Sequence, residues 1–167
     1  MPRRAANIFL IGFMAAGKTA VGRALAERLK RPFIDADREI EKAAGLSVAR
    51  IFARHGEKRF RALERRVINK IARQRGLVVA VGGGAVLRRS GTVVYLQAPF
   101  ETLWRRGSKE RAKRPLWNDR RSLLRLLQSR RPRYRRAAHL TVRAGAGTPG
   151  TIAARICRRT GFSPRRG

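Results

Sequence analysis

The sequence predicts an α/β fold in which helices cover a five-stranded parallel sheet. Five short apolar runs alternate with longer segments of helical periodicity, which is the pattern of a parallel sheet with crossover helices. The strand runs are continuously apolar, as expected for strands buried on both faces. A length of 167 residues and a hydrophobic fraction of 43 % fit one domain, 1–167, that can bury a core. No apolar run approaches the ~20 residues of a bilayer span, so we expect no membrane segment.

The individual elements follow from local patterns. The strands are predicted at 7–13, 32–37, 77–81, 92–97 and 139–143. Helical periodicity predicts helices at 17–30, 47–55, 57–74, 119–136 and 148–159. The last residues, 161–167 (GFSPRRG), are expected to form a frayed tail.

The charge is strongly unbalanced, with 41 Lys and Arg against 10 Asp and Glu and a formal net charge of +31. Such a field attracts polyanions. It is consistent either with a nucleic-acid-binding surface or with an arginine-rich solvated surface that has no specific partner. The chain contains no recognised nucleic-acid-binding motif, so we expect no specific nucleic-acid partner.

Cys157 is the single cysteine, which excludes a disulfide framework and a cysteine-based zinc site. Without an evident targeting segment, a cytoplasmic location is expected.

A phosphate-binding loop is predicted between the first strand and the first helix. Residues Gly12 to Thr19, GFMAAGKT, match G-x-x-x-x-G-K-[ST] in the strand–loop–helix context that this motif requires. Backbone N–H groups of such a loop surround phosphate oxygens, and the helix N-terminus adds its positive dipole. Lys18 is expected to reach the β- and γ-phosphates and Thr19 to bind Mg²⁺.

Two carboxylates stand at the end of the second predicted strand, at Asp35 and Asp37. Ligands of parallel α/β sheets bind at the carboxyl ends of the strands. One carboxylate could therefore hold Mg²⁺ or its waters, and the other could orient or deprotonate an acceptor hydroxyl. The alternative is structural, because Asp37 is also a good N-cap for the helix that follows.

Three glycines, Gly82, Gly83 and Gly84, follow the third predicted strand directly. They permit close approach of the backbone to a ligand, or they form a loose connection. A carboxylate substrate would require a guanidinium in bidentate contact. Because the chain contains many arginines, composition alone does not show which arginine would make this contact.

Together these segments resemble the shikimate kinase family. The matching pieces are NIFLIGFMAAGKT, PFIDADREIEKAAGLSVARIFARHGEKRFRALE, VVAVGGGAV, TVVYL, KRPL and RRPRY, in the family's order and over nearly the whole chain. The D-x-D, F-R-x-x-E, G-G-G and R-P-L set is more specific than the phosphate loop alone. The resemblance implies the three-layer α/β/α sandwich of P-loop kinases.

The resemblance also implies roles for residues. It assigns catalysis to Lys18, Asp37 and Arg114. It assigns the substrate to Asp37, Arg61, Gly82, Gly83, Gly84 and Arg130, with the two arginines on the shikimate carboxylate. ATP is assigned to Gly12, Ala15, Ala16, Gly17, Lys18, Thr19, Ala20, Arg106 and Arg114. The metal ion is assigned to Thr19 and Asp35. Residues 107–117 are expected to form a lid.

The reaction that the resemblance implies is phosphorylation of the shikimate 3-hydroxyl by ATP with Mg²⁺, giving shikimate 3-phosphate and ADP, a step of aromatic amino-acid biosynthesis. A monomer is expected. Two alternatives stay open from the sequence: a weakened kinase for another hydroxy acid such as gluconate, and a nucleotide-binding protein with a basic nucleic-acid-binding surface.

Several positions depart from the family pattern. Ala15 stands where glycine is usual, and a positive φ there would cost about 1 kcal/mol. Ala20 replaces a frequent hydroxyl residue. Only seven residues, 85–91, follow the glycines before the next strand, and we interpret them as a direct link of at most ~25 Å between adjacent strands. The loop 143–150, RAGAGTPG, lacks the usual acidic residues.

Overall fold

A computed structural model describes residues 6–82, 89–109 and 119–164. The strands are β1 (Asn7–Ile11), β2 (Phe33–Asp35), β3 (Val78–Ala80), β4 (Gly91–Gln97) and β5 (Leu140–Arg143). The helices are α1 (Lys18–Leu29), α2 (Ala36–Ala44), α3 (Val48–Ala72), α4 (Phe100–Ser108), α5 (Arg120–Ala137) and α6 (Pro149–Thr160). In these described ranges no helix is both long and apolar enough to cross a membrane.

The five strands form one parallel sheet in the order β2-β3-β1-β4-β5. The predicted α/β class and five-stranded parallel sheet are therefore confirmed. Crossovers between parallel strands are right-handed, so connections that run towards opposite edges of the sheet lie on opposite faces. Helix α1 belongs to the connection that leads from β1 to β2 at one edge of the sheet, and it packs against α6. Helices α3, α4 and α5 belong to connections that run the other way and cover the other face, which gives three layers.

One helix was not predicted, and a break in another matches two separately predicted segments. The helix α4, residues Phe100–Ser108, was not predicted, and it includes the first residues of the expected lid. Helix α3 is interrupted at Gly56, whose φ of 73° and ψ of 175° are accessible only to glycine. The break separates the two predicted helical segments 47–55 and 57–74. A second apolar cluster of Ile40, Ile51 and Phe60 packs between α2 and this broken helix.

The interpretation of residues 85–91 as a link between adjacent strands is wrong. Strand β1 lies between β3 and β4 in the sheet, so the connection passes over one strand. Strands are ~4.8 Å apart, so the lateral step is about 10 Å. That step is short compared with the ~25 Å that seven extended residues span. Residues 83–88 themselves lie outside the described part of the chain.

The fully buried Asn7 side chain fastens the start of β1 to the segment that precedes β3. Its Nδ2 donates to the Gln74 carbonyl oxygen at 2.7 Å, and its Oδ1 accepts from the Leu77 backbone N–H at 3.0 Å. Two central strands are thus held in register by one amide at the end of the sheet opposite the phosphate-binding loop.

We expect Asn7→Ala to lower the free energy of unfolding by about 2–3 kcal/mol. The substitution leaves the buried Leu77 N–H and the Gln74 carbonyl without partners, and each orphaned group costs ~1–3 kcal/mol. Urea denaturation measures the change. Asn69→Ala, at an exposed position of α3, is the matched control and should stay within about 0.5 kcal/mol. Equal losses in both variants would contradict the role of Asn7.

The end of α6 includes the first residues of the segment 161–167 that is expected to form a tail, and residues 165–167 lie outside the described part of the chain. Gly161 caps the helix with a left-handed backbone, and Phe162 is buried. The Arg31 guanidinium lies 5.3 Å from the Phe162 ring centroid and also donates to the Ala6 carbonyl oxygen at 2.8 Å. Arg31 therefore joins both ends of the described chain to the turn after α1.

Candidate active site

The phosphate-binding loop lies between β1 and α1, as predicted. Lys18 Nζ donates to the carbonyl oxygens of Gly12 and Phe13 at 2.8 and 3.0 Å. A Cβ on Gly12 would stand 2.7 Å from the Leu96 carbonyl oxygen, so only glycine fits against β4. Gly17 is the N-cap of α1 and places the helix N-terminus at the loop. The ammonium group is thus held at a loop whose helix dipole favours anions.

Ala15, inside this loop, has a φ of 62°. This is the left-handed region, where a Cβ costs about 1 kcal/mol compared with glycine. Ala15 therefore has the positive φ for which the sequence analysis expects a cost in free energy. The chain tolerates strain at a position that lines the phosphate cavity.

We expect Ala15→Gly to raise the free energy of unfolding by up to about 1 kcal/mol, because the folded state loses the left-handed strain while the unfolded chain gains some freedom. Thermal and urea denaturation measure it. Ala24→Gly in α1, a helical alanine, is the control and should destabilise by roughly 0.5–1 kcal/mol. Destabilisation by Ala15→Gly of the same size would show that the loop carries no such strain.

Asp35 connects the phosphate-binding loop to α2. Its Oδ2 accepts from Thr19 Oγ1 at 2.9 Å, and its Oδ1 accepts from the Asp37 backbone N–H at 3.1 Å. Asp35 is therefore the N-cap of α2, and the alternative that Asp37 is the cap is wrong. The cap position is extended backbone at the end of β2, which Asp35 occupies and Asp37, inside the helix, does not. This leaves the Asp37 carboxyl free for another role.

The Asp37 carboxyl lies in the wall of the open cavity, and the residue as a whole stays exposed to solvent. Desolvation raises its pKa above the usual aspartate value, and the nearby charge of Lys18 acts in the opposite direction. The charges of Asp35 and Glu64 raise the pKa further. A carboxylate whose proton affinity is increased by its surroundings suits an acceptor of a hydroxyl proton.

A cavity of about 540 Å³ brings these groups together. The predicted site residues that line it are Ala15, Gly17, Lys18, Thr19, Ala20, Asp35, Asp37, Gly82 and Arg106. Ala80, Val81 and Arg38 complete its described walls. Gly12 and Ala16 belong to the same loop but do not line the cavity, since Ala16 is buried beneath it. The phosphate and acceptor sides thus share one space.

Arg61 is held beside this cavity by Glu64. Its Nη1 donates to Glu64 Oε2 at 2.8 Å, and Nη2 lies 3.4 Å from Glu57 Oε1. Burial opposes the charged form of Arg61, but the hydrogen bonds and charges of Glu64 and Glu57 together outweigh it and raise the pKa of Arg61. Gly82 lies between the Arg61–Glu64 ion pair and the Asp37 carboxyl. A Cβ there would stand 3.5 Å from Asp37 Oδ1 and 3.6 Å from Glu64 Oε1.

Arg130 approaches the same region from α5. Its guanidinium lies 5.9 Å from the ring centroid of Phe13 in the phosphate-binding loop. Burial raises the pKa of Tyr134, and the charges of Arg130 and Arg61 both oppose that rise. Both guanidinium groups are therefore near one tyrosine, which places the two predicted arginines on the same side of the site although neither lines the described cavity.

Arg106 reaches the loop from α4. Its Nη1 donates to the Ala144 carbonyl oxygen at 3.2 Å and stands 3.9 Å from a Cβ built on Gly17. This places its guanidinium between the phosphate-binding loop and the segment that follows β5. The expected role of Arg106 beside the nucleotide stays a prediction.

Three predicted site residues, Gly83, Gly84 and Arg114, lie outside the described residues, as does the part of the predicted lid from 110 to 117. Two described residues were given no role from the sequence. Glu64 could have been found, because its spacing of three from Arg61 in a helix predicts an ion pair. Arg38 lines the cavity, but nothing in the sequence distinguishes it among the chain's many arginines.

The fold and the cavity define a P-loop phosphotransferase, in which a nucleotide-phosphate loop faces a carboxylate and a guanidinium cluster. The family model described as shikimate kinase matches residues 14–160. A shikimate kinase of Nitrosospira multiformis is 40 % identical over 172 residues, covering 96 % of this chain and 88 % of that protein. The chain belongs to the shikimate kinase family.

Solved structures agree with this assignment. Shikimate kinase from Acinetobacter baumannii in complex with shikimate is 39 % identical with a TM-score of 0.88, covering 93 % of this chain and 92 % of that one. Shikimate kinase from Bacteroides thetaiotaomicron is 30 % identical with a TM-score of 0.84, covering 94 % and 99 %.

Proposed function

We propose that the protein transfers the γ-phosphoryl group of ATP to the 3-hydroxyl of shikimate, giving shikimate 3-phosphate and ADP. The observation that carries the proposal is the single cavity in which Lys18 and Thr19 of the phosphate-binding loop face the carboxylate of Asp37. Family membership supplies the acceptor's identity. Gluconate phosphorylation and a silent nucleotide-binding role are not favoured by these relatives.

The nucleotide side of the site is formed by the loop and Arg106. Lys18, already held by two loop carbonyls, exchanges them for β- and γ-phosphate oxygens and offsets the charge that spreads over the transferred group. The guanidinium of Arg106, between Gly17 and Ala144, lies along the base and ribose. Binding therefore rests on backbone N–H groups and two cations.

A magnesium ion fits the pair formed by Thr19 and Asp35. Their oxygens lie 2.9 Å apart at the phosphate-binding loop, and Mg²⁺ usually takes one or two protein oxygens, several waters and substrate phosphates. When bound, the ion supplies charge neutralisation at the β- and γ-phosphates. Asp35 is thus expected to hold the ion or its waters and to keep α2 aligned through its N-cap bond.

The acceptor side consists of Asp37 and two guanidinium groups. Asp37 accepts a hydrogen bond from the 3-hydroxyl, aligns its oxygen with the γ-phosphorus and takes the proton as the new P–O bond forms. Arg61 and Arg130 bind the carboxylate of the ring, and the Gly82 backbone lies against the ring between them and Asp37. The substrate is thereby held at both ends.

The remaining assignments complete the proposal. Gly83 and Gly84 would extend the backbone contact to the ring, and Arg114 on a lid spanning 107–117 would reach the transferred phosphate. Lid closure would exclude water and suppress ATP hydrolysis. The protein is expected to act as a cytoplasmic monomer with one domain, 1–167, and with no specific nucleic-acid partner.

The proposal is tested by ADP release from Mg-ATP with shikimate, with gluconate and with neither acid. Strong stimulation by shikimate alone supports it and also shows that Ala15 and the short 85–91 connection are compatible with turnover. Absence of stimulation by shikimate while nucleotide still binds would contradict it.

We expect Arg61→Ala to raise the KM for shikimate at least tenfold and to leave the affinity for ATP nearly unchanged. The variant removes a charge-assisted hydrogen bond to the substrate carboxylate, worth roughly 1.5–3 kcal/mol. Steady-state kinetics and isothermal titration with ADP measure the two effects. Arg65→Ala, an exposed arginine on the same helix, is the control. Equal losses of shikimate and nucleotide binding in Arg61→Ala would contradict a substrate-specific role.

A further inference from the structure

A second cavity, of about 370 Å³, lies at the carboxyl ends of β4 and β5. Its described walls are Gln97, Ala98, Pro99, Arg131, Arg143, Gly145 and Ala146. None of these residues lines the phosphate cavity, so the two spaces have separate walls. Its volume is within the range of ~300–1,000 Å³ that small-molecule sites occupy.

One side of the second cavity is polar. Gln97 and Arg143 are register partners of β4 and β5, so their side chains lie on the same face of the sheet. Tyr95, two residues before Gln97, shares that face and stacks on Tyr134 of α5 with ring centroids 5.1 Å apart. This is the face that α5 covers, and α5 contributes Arg131 to the same cavity. Residues from β4, β5 and α5 thus contribute Gln97, Arg143 and Arg131 to the walls of one cavity.

The charged residues that line this polar side, Arg131 and Arg143, are both positive. None of the described residues that line the cavity is acidic. Arg131 Nε is buried, and among the described groups it has no hydrogen-bond acceptor. This nitrogen is closed to the cavity. An anion in the cavity would be stabilised instead by charge-assisted hydrogen bonds from the terminal nitrogens of Arg131 and Arg143.

The other side of the cavity consists of Ala98, Pro99, Gly145 and Ala146, which offer an apolar surface. A Cβ on Gly145 would stand only 2.6 Å from Pro99 Cδ, so these two turns are in tight contact and the surface is fixed. Pro99 is the N-cap of α4 and lacks an N–H, and Glu101 is in the first turn. Both features disfavour a phosphate group at this helix end.

We propose that this cavity binds a small organic carboxylate with an apolar body, with the carboxylate on Arg131 and Arg143 and the body against Pro99 and Ala146. A planar carboxylate accepts two parallel hydrogen bonds from a guanidinium, which matches the polar side. The apolar body covers the opposite side. None of the described residues that line this cavity lines the phosphate cavity, and Arg61 is not among them.

Benzoate is the probe, added to the full-length protein saturated with shikimate so that the acceptor site is filled. Two-dimensional ¹H–¹⁵N spectra follow the backbone amides of Gln97, Gly145 and Ala146. The Lys18 amide is followed as well, because it reports binding at the phosphate-binding loop. Benzamide has the same shape without the charge, and inorganic phosphate has charge without the apolar body. The proposal predicts saturable shifts with benzoate at the first three amides and none with benzamide or phosphate.

Arg143→Gln, at an exposed position, is expected to weaken benzoate binding at least tenfold while the protein stays folded. Arg131→Gln is the second variant and should have the same effect. Arg133→Gln changes the net charge equally on an exposed part of α5 and should leave binding unchanged. Any of four results would overturn the proposal. They are equal shifts with benzamide or phosphate, larger shifts at Lys18 than at the cavity amides, a lack of saturation with benzoate, and unchanged benzoate binding in Arg143→Gln.

Discussion

Asp37→Asn is expected to lower kcat by two to four orders of magnitude, the usual contribution of a general base. Asparagine keeps the shape of the side chain but neither takes a proton nor accepts as strongly from the acceptor hydroxyl. The KM for ATP should change little, because the phosphates are bound by Lys18 and the loop. Quenched-flow or steady-state assays of product formation measure the loss.

Two further readouts separate catalysis from structure in this variant. Because the pKa of Asp37 is raised, the wild-type kcat/KM should fall as the pH is lowered through a value above that of an ordinary aspartate, and Asp37→Asn should lose this limb. A raised pKa means that the folded state binds the proton more tightly than the unfolded chain does. Ionised Asp37 therefore destabilises the fold at neutral pH, and Asp37→Asn should be more stable than wild type. A variant that loses activity by unfolding would contradict both statements.

Lys18→Met is expected to lower kcat/KM for ATP at least 100-fold. The ammonium group is the cation that the loop itself holds in place, and removal of one preorganised donor from a developing charge costs 10²–10³-fold in rate. The methionine keeps the length of the stem, so the loop should retain its backbone conformation. Coupled kinetics give the rate, and titration with ADP gives the affinity for the product nucleotide.

Lys58→Met is the matched control for Lys18→Met, since Lys58 is exposed on α3 and far along the chain from the loop. It should keep kcat/KM within twofold. A loss of similar size in the control would show that the activity follows the overall positive charge of +31 rather than the position of one ammonium group. Full activity of Lys18→Met would remove the basis for phosphate binding by this loop.

Much of the fold is predictable because its signals are local. The strand β1, the glycines of the loop and the helix α1 follow one another within about twenty residues, and each is specified by its own pattern. The break at Gly56 also separates two segments that periodicity predicts independently. Helix α4 was missed because it is short, begins after Pro99 without a capping side chain and contains Gly107.

Features that depend on tertiary neighbours could not be predicted. Asp35 and Asp37 are both suitable caps by residue type, and only the end of β2 decides that Asp35 fills that position. Strand order decides that the connection after β3 passes over β1. The second cavity combines residues from β4, α5 and β5 that are far apart in sequence. In a chain with 41 basic residues, the composition does not show which guanidinium groups converge.

The most direct test of the central claim is the ³¹P NMR spectrum of a mixture of the protein, Mg-ATP and shikimate. The account predicts one new phosphate-monoester resonance, coupled to the proton on carbon 3 of shikimate, growing in a 1:1 ratio with ADP. Inorganic phosphate as the only new product beside ADP would mean that water rather than the shikimate hydroxyl attacks the γ-phosphorus, and it would contradict the proposed role of the Asp37 and Arg61 side of the site.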